Sequence, residues 1–121
     1  MGGVISFRKS PEAIWLKTGW IFTRFLADLL VVSPDDEEFT DAIQKAEVFQ
    51  RLGLYDTAEE NPELANKLKR AIKEVALATL EDSADRPLKW KEGLDPAGQV
   101  MYLDSIRELL EIMDKTGNDF G

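Results

Sequence analysis

The sequence predicts an all-α domain, a compact bundle of four main helices with a mostly buried first helix. Two observations lead there. Four of the five prolines directly follow a Ser, Asn or Asp (Ser10 and Pro11, Ser33 and Pro34, Asn61 and Pro62, Asp95 and Pro96). Those side chains accept hydrogen bonds from the free amides of a helix start, and proline suits the next position because its missing N–H would have had no partner. Apolar residues then recur at helical spacing after each start, and no stretch offers a comparable strand alternation.

The first helix is expected from Pro11 to Val32. Lys17, Arg24 and Asp28 fall in one narrow charged stripe, while Trp15, Phe22, Phe25, Leu26, Leu29 and Leu30 lie opposite. Leu16 and Trp20 widen the apolar surface, so the helix reads as central and buried on most sides. Gly19 falls inside it, where glycine costs about 1 kcal/mol relative to alanine, and a close helix crossing would justify that cost. The three charges argue against a membrane span, and no small-residue cleavage site follows as in a signal peptide.

The second helix is expected from Pro34 to Leu52, with Phe39, Ala42, Ile43, Ala46 and Phe49 on one face and Gly53 as a left-handed cap. Asp56 and Glu59 have capping-box spacing, which predicts a short helical turn before Asn61. The third helix runs from Pro62 to Glu81 on Leu64, Leu68, Ala71, Ile72, Val75 and Thr79. The fourth runs from Pro96 to Thr116 on Tyr102, Leu103, Ile106, Leu109, Leu110 and Met113, and Gly117 ends it. Residues 1–9 are read as an extended or flexible N-terminus, 10–117 as one domain and 118–121 as a tail. The 83–94 stretch reads as a loop in which Leu88 and Trp90 could form a short extended piece.

A chain of 121 residues without Cys or His carries no disulfide, no thiolate metal site and no imidazole base. Its net charge of −8 opposes nonspecific nucleic-acid binding, which depends on Lys and Arg neutralising phosphates. Nearly all that excess sits in residues 33–60, where nine acids face Lys45 and Arg51. Acids in the "DDEE" run, Asp35 to Glu38, would also compensate a helix dipole, but Asp41, Asp56, Glu59 and Glu60 are not required for that.

Other motifs dissolve on inspection. "DKTGNDFG" places Asp119 where a calcium loop needs glycine and stops before the bidentate Glu. "GLDPAGQV" has Gln99 and Val100 where a phosphate loop needs Lys and Ser or Thr. "KLKRAIK" is spaced for surface ion pairs of Lys67 with Glu63 and Arg70 with Glu74. "MGGVIS" fits an N-myristoylation pattern through Gly2 and Ser6, and one such chain binds membrane only marginally. No G-x-S-x-G or S-x-x-K arrangement marks a nucleophile.

These features predict a non-enzymatic cytoplasmic protein, without cofactor or metal, that binds another protein with a basic surface. The contact residues are Asp35, Asp36, Glu37, Glu38, Asp41, Asp56, Glu59, Glu60 and Trp90. An inhibitor or immunity protein covering the phosphate-binding surface of a basic nuclease is one concrete version. Trp90 between Lys89 and Lys91 is an anchor in this reading, although loop tryptophans also pin their own loop to a core. The alternatives are a structural or oligomerisation domain, possible as a homodimer through Met101, Ile112 and Trp90, and an N-myristoylated peripheral membrane regulator.

Overall fold

The computed structural model describes residues 2–8, 11–32, 35–81 and 89–116. It corrects the all-α expectation. Among the described residues, five helices accompany a small mixed sheet: β1 (Gly2–Ser6), β2 (Ile14–Thr18), α1 (Gly19–Val32), α2 (Glu37–Phe49), β3 (Arg51–Gly53), α3 (Leu54–Glu60), α4 (Pro62–Glu81) and α5 (Pro96–Thr116). The sheet order is β2-β1-β3, with β1 antiparallel to β2 and parallel to β3.

The strand at Ile14–Thr18 replaces what reads as the first half of a long helix. Pro11 does open helical structure, but only a 3-10 turn over Pro11–Ala13; Ser10 lies outside the described residues. Phe7 N–H then donates to the Ala13 carbonyl at 2.9 Å, closing the connection between β1 and β2. Along β2, Trp15 is fully buried while Leu16 is 66% exposed, the alternation of a strand with one covered face. The helix-wheel reading fails because β1, expected as an extended or flexible end, supplies hydrogen bonds that no helix wheel includes.

Gly19 therefore opens α1 instead of interrupting it, and the expected interior cost does not arise. The glycine under real constraint is Gly3. A Cβ built there would lie 2.1 Å from Cγ of the fully buried Phe22, so β1 and α1 approach as closely as they do only without a side chain.

The second helix is shorter than expected at both ends. Asp36 caps it, accepting from Phe39 N–H at 3.1 Å, whereas Ser33 and Pro34 lie outside the described residues. Gln50, not Gly53, takes the left-handed conformation (φ 55°). That turn releases the chain into β3, and Val4 N–H donates to the Gln50 carbonyl at 3.1 Å. Gly53 is extended and precedes α3, so Asp56 makes no capping box and pairs with Arg51 instead.

The two long helices follow the sequence closely. Asn61 Oδ1 accepts from Leu64 N–H and Asp95 Oδ1 from Gly98 N–H, the caps of α4 and α5. Their buried faces contain Leu68, Ile72, Val75, Tyr102, Ile106 and Leu109. The core joins these to Ile5, Trp15, Phe22, Phe25, Leu29, Phe39 and Ile43. Trp15 links sheet and helices twice: its Nε1–H donates to the Ser105 carbonyl at 2.9 Å, and its ring meets Phe25 edge-on. Lys17, also on β2, pairs with Glu108 of α5 rather than joining an exposed stripe.

Asp28 departs most from its expected surface position. It is fully buried, and its Oδ1 accepts the Lys89 N–H at 2.7 Å. One turn earlier, Arg24 donates to the carbonyls of Trp90 and Glu92 at 2.9 and 2.7 Å. These bonds fasten the turn of residues 89–94, in which Gly93 has φ 75°. Of the two residues expected in a short extended piece, Trp90 lies in this turn instead of a strand, and Leu88 lies outside the described residues.

Candidate functional site

The acids expected at a contact surface all lie on or around α2 and α3. Asp35, Glu37, Glu38, Asp41, Asp56, Glu59 and Glu60 are exposed. Glu38, Asp41, Asp56 and Glu60 line one groove of about 750 Å³ between α2, β3, α3 and the start of α4. Its apolar lining is Ala42, Ala46, Phe49, Leu52 and Leu64. A shallower recess of about 530 Å³ continues over the outer side of α2, along Glu37, Thr40 and Gln44.

The acids are not equivalent electrostatically. Asp41 pairs with Lys45 at 3.0 Å and Asp56 with Arg51 at 2.9 Å, so two of the groove's four acids are already neutralised. Asp36 stands outside the groove and is occupied twice, by the α2 cap and by Lys67 at 2.8 Å. The Lys67 hydrogen bond, with that of the Phe39 amide, holds the Asp36 carboxyl below its usual value and raises the Lys67 ammonium. Asp35, Glu37, Glu38, Glu59 and Glu60 form no ion pair among the described residues, although Glu38 accepts from the Asn61 side chain at 3.1 Å. The uncompensated negative charge thus lies at the ends of α2 and α3.

Phe49 is the residue that sequence reasoning misplaces. Its spacing from Phe39, Ala42 and Ala46 puts it on the buried face, yet it is 75% exposed, beside Val48 at 76%. The face ends at Ala46 because the chain leaves the helix at Gln50 to enter the sheet, and Leu52 occupies the core position instead. Phe49 lines the groove, and its chain neighbour Val48 leaves a second large apolar side chain in water beside it. Only the β-pairing that ends the helix early could have signalled this.

Trp90 lies apart from the groove. It is 3% exposed; its ring stacks on Tyr102 at 5.0 Å and 7°, and Lys91 Nζ lies over it 5.5 Å from the ring centroid. Ile112 is buried as well, whereas Met101 is 53% exposed. Burial, with the Asp28 charge adding to it, pushes the Tyr102 phenol up, and burial also raises Asp28. Neither Asp28 Oδ2 nor the Tyr102 hydroxyl has a hydrogen-bond partner among the described residues.

Among the described residues no cluster of three or more Asp, Glu, His or Cys is placed to hold a metal. No described helix is long and apolar enough to cross a membrane. Comparison of the chain with family models, curated proteins and solved structures finds no match.

Proposed function

We propose that this protein is a non-enzymatic, cytoplasmic binding module whose acid-lined groove beside α2 docks on the basic surface of a protein partner. The observation that supports the reading most is the exposure of Val48 and Phe49 beside a groove lined by four of the nominated acids. Solubility alone accounts for exposed carboxylates but not for Phe49. The apolar pair supplies area removed from water, while the unpaired carboxylates at Glu38 and Glu60 orient the partner's Lys and Arg. An inhibitor covering a basic enzyme is one protein that works in this way.

A benzophenone amino acid placed at Val48 tests this in the native host. Irradiation is expected to join the chain to a protein with a basic face, and the purified pair to associate more slowly as salt rises from 50 to 500 mM (~10-fold or more, as electrostatic steering is screened). Glu38→Gln with Glu60→Gln is expected to slow association without altering the fold. A captured partner whose association is indifferent to both salt and these substitutions refutes the reading.

A further inference from the structure

The turn of residues 89–94 keeps hydrogen bonds of its own: Glu92 N–H donates to the Lys89 carbonyl and Leu94 N–H to the Lys91 carbonyl, both at 3.1 Å. Among the described residues, its polar ties to the rest of the fold are Asp28 and Arg24 of α1 and the Gln99 side chain of α5 on the Leu94 carbonyl. The Trp90 ring against Tyr102 is its apolar anchor. Leaving α1 costs the turn no internal bond. Asp28 makes this attachment sensitive to protons. It is fully buried; Oδ1 accepts the Lys89 N–H at 2.7 Å, while Oδ2 has no donor among the described residues. The charged and titratable groups facing it are Arg24 on α1, Glu92 in the turn and Tyr102 on α5. Arg24 donates to the Trp90 and Glu92 carbonyls and favours the carboxylate only through space, and Glu92 opposes it. The Tyr102 hydroxyl is as buried as Asp28 and equally without a partner. An ionised Asp28 thus holds a charged oxygen away from water without a donor, a cost that either protonation or hydration removes. Protonation leaves the turn in place; hydration requires it to lift.

We infer that Asp28 is a proton-operated latch on the turn of residues 89–94: protonated, it leaves the turn closed on α1, and ionised, it favours a minor state in which the turn lifts, water reaches Oδ2 and Trp90 leaves Tyr102. The opening is local, a step short of global unfolding. Its direction follows from linkage. In the lifted state the carboxyl is hydrated and titrates at its ordinary 3.8, whereas burial raises it in the closed state. The ratio of lifted to closed therefore grows as pH rises between those two values, by at most about tenfold per pH unit for one proton, and levels off above the closed one. The closed form remains the major one, because lifting breaks the Asp28 bond and both Arg24 bonds and exposes Trp90. Lifting also uncovers the face of Tyr102 that Trp90 covers, on a ring that the 37% exposed Trp20 already meets at 6.5 Å.

Amide hydrogen exchange followed residue by residue by NMR between about pH 4 and pH 7, with rates corrected for the intrinsic pH dependence of exchange, tests this. The Lys89 amide reports the latch, since Asp28 is its acceptor, and the Ile106 and Leu109 amides inside α5 report global unfolding. Lys89 is expected to be less protected than the α5 amides, and its protection to fall about threefold or more as pH rises. Asp28→Asn keeps an oxygen for the Lys89 amide but does not ionise, so its Lys89 protection is expected to stay flat. Glu92→Gln, at an exposed position, removes a like charge beside Asp28 and is expected to move the fall to lower pH. A Lys89 amide as protected as those of α5 overturns the inference, because the turn then opens only with the whole fold. Protection that does not fall with pH in the wild type, or falls equally in Asp28→Asn, overturns it as well. If Asp28→Asn does not fold, Glu92→Gln decides, and a fall at unchanged pH counts against the latch. None of these outcomes bears on the groove beside α2.

Discussion

Asp28 is where the fold's electrostatics can be tested with one substitution. Its carboxylate is buried, accepts the Lys89 N–H at 2.7 Å through Oδ1, and leaves Oδ2 without a partner among the described residues. Asp28→Ala removes the acceptor and strands a partly buried amide, which costs about 2–3 kcal/mol for a bond to a charged group. In a domain of this size that lowers the Tm by roughly 8–12 °C. Asp28→Asn keeps an oxygen facing Lys89 and nearly the same volume, so at neutral pH it should fall within ~1 kcal/mol of wild type or above it, since burying a neutral amide avoids the desolvation of a charge. The pH dependence separates these contributions. Desolvation raises the Asp28 pKa in the folded state, partly opposed by the amides of Lys89 and Trp90 and by Arg24, while Glu92 adds to the rise. The folded protein therefore holds this proton more tightly than the unfolded chain. Its contribution is greatest below the unfolded value of 3.8 and is lost as pH rises through the folded pKa. Urea unfolding followed by tryptophan fluorescence from pH 4 to 7 should show the stability of Asp28→Asn gaining on wild type as pH rises. A difference that is flat or shrinks with pH refutes the account of a buried, charge-penalised carboxylate, and equal losses in the Ala and Asn variants at pH 7 refute the role given to the Lys89 bond.

Gly3→Ala should destabilise by about 1–3 kcal/mol through overpacking against Phe22, and adding Phe22→Leu should recover part of that loss in a double-mutant cycle; an unchanged Tm for Gly3→Ala would mean the strand and helix can part. Trp90→Ala should cost about 3–5 kcal/mol, because it empties a buried site against Tyr102, and denaturant titration reads the loss directly. Asp36→Ala should lower the Tm at neutral pH through loss of the α2 cap and the Lys67 pair. Because the Asp36 pKa is depressed in the folded state, that advantage is present above its unfolded value and is lost as pH falls through the folded value, so wild type and variant should converge in acid.

Within the chain, local signals succeed where the partner lies within one helical turn. Asn61 and Asp95 cap α4 and α5 through amides three residues on, and both helices begin at the prolines the sequence marks. The acids of residues 33–60 likewise cluster because their segment is continuous. The same logic fails at Ile14–Thr18, whose wheel gives an acceptable apolar face but whose hydrogen-bond partners are residues 2–6. It fails at Asp28, which a wheel places in a solvated stripe with Lys17 and Arg24. Only the turn of residues 89–94, packed over α1, makes that position interior.

The sequence by itself determined the two long helices, the mostly helical character, and the concentration of negative charge on α2 and α3. These follow from neighbours in the chain, whose geometry a 3.6-residue period already specifies. Tertiary structure alone decided the mixed sheet, the early end of α2 that leaves Val48 and Phe49 in water, and the burial of Asp28 under the turn of residues 89–94. Each depends on pairing across tens of residues, where hydrogen bonds and burial outweigh the modest local preference for continuing a helix.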